Sequence, residues 1–97
     1  MDIIIQSLDF TAKEDLKNFI NQKVGALADK CQDAIRANVR LKLDKSDTGA
    51  NKICEIRLEI PGNDLYASRQ EHSFEEATQE VISALRKQIE KNSRQAR

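Results

Sequence analysis

Apolar and polar residues alternate strictly from Ala37 to Asp44: Ala37, Val39, Leu41 and Leu43 against Asn38, Arg40, Lys42 and Asp44. A two-residue period of this kind predicts a strand with one face in the core and one in water. Cys54, Ile56, Leu58 and Ile60 alternate with Glu55, Arg57 and Glu59 in the same way. The stretch between them, Lys45 to Asn51, is turn chemistry, so the two strands form an antiparallel pair. "PGND", Pro61 to Asp64, reverses the chain again, and "LYASRQ" reads as a third, weaker strand. Before all of these, "DIIIQSL", with Ile3, Ile5 and Leu8, suggests a short β-branched strand in which Ile4 faces the other side from Ile3 and Ile5.

Two segments carry a helical period instead. Leu16, Phe19, Ile20, Val24, Leu27, Ala28 and Cys31 fall on one helix face behind a capping box at Thr11 and Glu14. Phe74, Ala77, Val81, Ile82, Leu85 and Ile89 do the same behind a second box at Ser73 and Glu76. The order β-α-β-β-β-α predicts an α+β two-layer sandwich, with both helices packed on one face of a four-stranded sheet. Ninety-seven residues make this one domain, 1–97, with a frayed basic tail expected from about 93.

Charge changes the picture at one end only. Lys+Arg and Asp+Glu are 16 each, yet "SALRKQIEKNSRQAR" carries Arg86, Lys87, Lys91, Arg94 and Arg97 against the single acid Glu90. Cations near a helix C-terminus complement the macrodipole, worth about 0.3–1 kcal/mol near the last turn. That accounts for part of the bias but not its geometry. Lys87, Lys91 and Arg94 form one stripe opposite the apolar face, where like charges four apart repel by roughly 0.2–0.5 kcal/mol. The stripe points to a polyanion. On the first helix Lys23 and Lys30 flank the apolar face, diluted by Glu14, Asp15 and Asp29. Side-by-side helices would let Lys23, Lys30, Lys87 and Lys91 border one phosphate-spaced groove.

Other chemistry is sparse. His72 is the only histidine and reads as a loop residue, so no histidine pair serves a metal or a hydrolytic triad. Cys31 and Cys54 lack metal-ligand spacing and read as buried thiols. Gly25, Gly49 and Gly62 do not make a phosphate loop, and Glu75 and Glu76 point in different directions on a helix. No cofactor, metal, small-molecule substrate or enzymatic activity is expected. With no apolar run long enough for a bilayer and no signal peptide, the chain reads as cytoplasmic. Phe10, Phe19 and Phe74 are core candidates, which leaves Tyr66 alone for base stacking. Recognition of folded RNA by shape and backbone therefore fits better than an aromatic platform for single strands.

Several short motifs, in order, resemble the ribosome hibernation promoting factors, also described as ribosome-associated inhibitors. Lys23 and Leu27 match the first helix of that family, "ANVRL" (Ala37 to Leu41) its A-x-V-x-L strand, and "LRKQIEK" (Leu85 to Lys91) its helix end, with Ile89 in place of Leu. Ser73, Glu75 and Gln79 stand where the family often has Asp, an aromatic residue and a second Asp. The chain resembles a short form without a further C-terminal domain. The resemblance implies a bacterial cytoplasmic protein that binds small-subunit rRNA in the channel for messenger RNA and tRNA. Such a protein blocks initiation on idle ribosomes and helps keep them inactive as dimers. It also implies RNA-backbone contact at Lys23, Lys87 and Lys91, with Gln88 beside them; Lys30, Arg69, Arg86, Arg94 and Arg97 join from charge placement.

Two other readings compete. From Thr11 onward the order α-β-β-β-α is that of a double-stranded-RNA-binding domain, although Glu75 and Glu76 occupy the helix start where that module concentrates lysines. A protein-interaction domain would use the wet strand face of Arg40, Lys42, Glu55 and Arg57 instead.

Overall fold

The computed structural model describes residues 1–45 and 49–95, with 92–95 described by their helical backbone. Its elements are β1 (Asp2–Ser7), α1 (Glu14–Ala28), β2 (Arg36–Leu43), β3 (Lys52–Glu59), β4 (Leu65–Glu71) and α2 (Phe74–Gln95). The strands form one sheet in the order β1-β2-β3-β4. β1 runs parallel to β2, while β2–β3 and β3–β4 are antiparallel. The expected α+β architecture is present. Its one parallel pair follows from α1, which supplies the long crossover that parallel neighbours need.

Alternation decides which side of the sheet the helices cover. Ala37, Val39, Leu41, Cys54, Ile56, Leu58, Leu65 and Ala67 are buried on one face, against Ile20, Val24 and Leu27 of α1 and Ala77, Val81, Ile82, Leu85 and Ile89 of α2. The helices also pack on each other, and α2 lies over β3 and β4. Phe10 stacks on Phe74 with ring centroids 5.0 Å apart, tying the entrance of α1 to that of α2. Thr78 is the one buried polar residue among those described, and its hydroxyl lies 3.5 Å from the Cys54 sulfur. It falls on the inner helical period, four residues from both Phe74 and Ile82, but as a polar residue it is not marked by the apolar pattern.

The two capping boxes fare differently. Ser73 Oγ accepts the Glu76 backbone N–H at 3.1 Å and donates to the Glu76 carboxylate at 3.3 Å, so α2 is capped where expected. α1 instead starts from Lys13, which makes no side-chain cap bond. The reason is packing: Ala12 is drawn into the core at 4% exposure, leaving Lys13 extended and Thr11 in solvent. Ser73→Ala is therefore expected to cost about 1 kcal/mol in urea unfolding, and Thr11→Ala almost nothing. Equal costs would contradict this assignment of the caps.

The C-terminus of α1 also comes early. It ends at Ala28, because the Lys30 and Cys31 N–H groups close tight i→i−3 bonds to Leu27 and Ala28 at 3.0 Å each. Cys31 thus lies beyond the helix and is only half-buried, whereas Cys54 is fully buried and its thiol is pushed up to about 11, chiefly by loss of hydration. The Pro61 reversal is confirmed: Gly62 takes φ +90°, as a type II turn requires at its third position, and Asn63 N–H donates to Ile60 O at 3.2 Å. Of the turn expected from Lys45 to Asn51, residues 46–48 lie outside the described residues.

Candidate nucleic-acid interface

Helical geometry and strand register decide which cations meet. On β4 the residues Leu65, Ala67, Arg69 and Glu71 share the helix-facing side, since Cys54, buried under the helices, pairs with Arg69. The register places Arg69 at the outer edge of the sheet, where burial has ended and its side chain is exposed. α2 crosses that edge with Ala77, Val81 and Leu85 inward. Glu76, Glu80, Ser83 and Lys87 consequently sit on its flank.

Between them lies an open depression of about 570 Å³, lined by Arg69, Glu76, Gln79, Glu80, Ser83, Ala84 and Lys87. Among the described residues its walls come from β4 and α2 alone. Arg69 and Lys87 are thus brought together, whereas Lys23 and Lys30 do not line the groove. This depression lies at the sheet edge and is distinct from the groove expected between side-by-side helices, which the α1 lysines would share with Lys87 and Lys91.

The remaining candidates are distributed as follows. Arg86 and Lys91 are exposed on α2, Lys91 one turn beyond Lys87. Gln88 is half-buried and donates from Nε2 to the Tyr66 carbonyl at 2.9 Å, so it ties the helix to β4. Lys23 is half-buried with Nζ 5.6 Å from the Phe19 ring centroid, a cation–π contact that holds its charge near the α1 surface. Lys30 is exposed just past α1. Arg69 Nη1 donates to the Ser68 carbonyl at 2.8 Å. Arg94 lies on the backbone of α2, and Arg97 lies outside the described residues.

Carboxylates in this groove were not foreseen. The Glu80 carboxyl is raised above the usual glutamate range, first because it can share a proton with Glu71 at the end of β4, with lost hydration and the Glu71 charge adding to it and Arg69 opposing it. The folded state therefore holds this proton more tightly than the unfolded chain does. The sign follows by linkage: its stabilisation is complete at low pH and is lost as pH rises through the folded value. Glu80→Gln, which removes a carboxyl from the groove, is expected to tighten polyanion binding severalfold and to flatten its pH dependence above the usual glutamate range, as read by titration of RNA. Sequence spacing could have placed Glu76, Glu80 and Lys87 on one flank, but only the sheet register brings Glu71 and Arg69 to them.

The opposite, open face of the sheet is also charged. Glu55 pairs with Lys42 at 2.7 Å and with its register partner Arg40 at 4.0 Å, Glu59 pairs with Arg36 at 3.2 Å, and Arg57 approaches Asp64 at 3.8 Å. Asn38 donates to Glu59, whose carboxyl is held below the usual range by that bond first and by Arg36 after it. No helix among the described residues is long and apolar enough to cross a membrane.

Comparison with known proteins agrees with this architecture. A structure of a ribosomal subunit interface protein from Coxiella burnetii superposes with a TM-score of 0.86 at 14% identity, covering 96% of this chain and 98% of that one. The N-terminal domain of Protein Y from Thermus thermophilus gives 0.78 at 17% identity, covering 94% and 98%. At such identities the likeness shows a shared fold. No curated protein matches the sequence. The family described as sigma 54 modulation protein / S30EA ribosomal protein matches residues 3–97, nearly the whole chain, and the protein belongs to that family.

Proposed function

We propose that the protein is a ribosome-associated translation inhibitor that binds small-subunit rRNA and silences idle ribosomes by occupying the mRNA/tRNA channel. The observation that carries this reading is the exposed cationic side of α2, with Arg86, Lys87 and Lys91 projecting from a helix whose apolar face is locked to the sheet. Family membership supports it, as does the fold shared with a protein named for the ribosomal subunit interface. Lys87, Lys91 and Lys23 contact RNA phosphates, and Lys30, Arg69, Arg86 and Arg94 extend the contact. Gln88 acts differently, fixing the angle of α2 against β4 through its bond to Tyr66. The inhibitory step is occlusion, with no bond made or broken.

Phosphate contact releases counterions, so binding must fall steeply with salt. Four contacts at about 0.9 each predict a loss of about a hundredfold between roughly 50 and 200 mM monovalent salt. The test is co-sedimentation of the protein with purified small subunits across that range. Pelleting at low salt that declines with this slope supports the proposal. Failure to pellet at the lowest salt, with the protein folded by circular dichroism, refutes it.

A further inference from the structure

The face of the sheet turned away from the helices has a site that the α2 surface does not use. Gln6, Asn38, Arg40, Lys42, Glu55, Arg57 and Tyr66 line an open depression of about 470 Å³. Three of these side chains are cationic and one is anionic, and the lone carboxylate, Glu55, is already engaged by Lys42 and Arg40. At its edge Tyr66 is 45% exposed. Register pairs Tyr66 directly with Arg57, whose guanidinium carbon lies 5.4 Å from the ring centroid. The guanidinium lies over the ring, so the exposed aromatic surface stands in a positive field. Arg40 on β2 is two strand spacings from β4, about 10 Å along the hydrogen-bonding direction.

We propose that this face receives one unpaired nucleotide of an otherwise folded RNA, its base stacked on the exposed Tyr66 ring beside Arg57 and its adjoining phosphates on Arg40 and Lys42. An acidic peptide would satisfy the cations but would leave the exposed ring without a planar partner; a nucleotide answers both. A single aromatic residue provides for one base and not a run, so shape recognition of folded RNA and this contact are compatible. The Tyr66 carbonyl is also where Gln88 anchors α2. The stacking face and the Arg69–Lys87 groove therefore meet around the same β4 edge, and one RNA can follow both. The inference rests on the proposal that the protein binds ribosomal RNA, and adds to it a second contact surface with a preference for unpaired bases.

Tyr66 is the only tyrosine and the chain has no tryptophan, so ultraviolet emission of the protein reports on this ring. The probe is an RNA hairpin with one bulged adenosine, compared with the same hairpin lacking the bulge. The wild type should bind the bulged hairpin about 5- to 150-fold more tightly, the span that stacking one base on one ring provides, with quenching of Tyr66 emission beyond that of the control hairpin. Tyr66→Ala should erase the preference, and Tyr66→Phe should keep it. Lys87→Glu/Lys91→Glu should weaken both hairpins and keep their ratio. Equal wild-type affinity for the two hairpins, or a preference that survives in Tyr66→Ala, overturns the stacking site and leaves the α2 surface standing. Binding of neither hairpin or of ribosomal subunits overturns both.

Discussion

Reversing two charges in Lys87→Glu/Lys91→Glu should remove co-sedimentation with the small ribosomal subunit at about 0.1 M salt while the protein stays folded. Two phosphate contacts at about 0.9 each contribute about sixtyfold to binding at that salt through counterion release alone, and the introduced carboxylates add repulsion. The slope of affinity against salt should fall by about 2 in the same experiment. Both lysines are exposed on a helix whose inner face holds Val81, Leu85 and Ile89, so the folded state should lose little. A control of the same net charge, Lys13→Glu/Lys45→Glu, changes exposed lysines at the start of α1 and just after β2. Equal loss in both double variants would show that overall charge matters and the position of the α2 stripe does not.

The second large effect acts through the fold. Leu85 is fully buried where α2 presses on the sheet, two residues before Lys87 and three before Gln88. Leu85→Ala should destabilise the protein by about 2–5 kcal/mol, the usual range for a leucine cavity in a core. For a domain of this size that is a fall in Tm of about 10 °C or more, measurable by circular dichroism. The basic stripe should suffer with it, because those cations are held in register only by the burial of the opposite face. A change in Tm below about 3 °C would mean that α2 is not docked as described.

The helices, strands and their inner faces were legible from residue patterns because burial on one side forces a period of 2 in strands and 3.6 in helices. Val39, Leu41, Ile56 and Leu58, and on the helices Ile20, Val24, Val81 and Leu85, are where those periods put them. Thr11 and Cys31 show the limit of local signals. A capping motif is a preference worth about a kilocalorie per mole, and drawing Ala12 into the core beside the Phe10–Phe74 stack outweighs it. At the far end of α1, two tight turns to Leu27 and Ala28 stop the helix before its apolar period runs out.

The candidate site was legible as a set of cations and not as a place. Arg86, Lys87 and Lys91 follow from helical spacing within one segment, so the sequence dictates that they share the exposed side of α2. Which strand meets them depends on the order β1-β2-β3-β4, and that is settled by pairing between segments far apart in the chain. The same pairing brings Glu71 to Glu80, sets Arg69 near Lys87 and lays Arg57 beside Tyr66. One-dimensional spacing carries the period of each element because the backbone geometry is local. It does not carry register between strands or the seat of a helix on a sheet, which emerge only when the apolar faces are buried together, and here those decided where the charges gather.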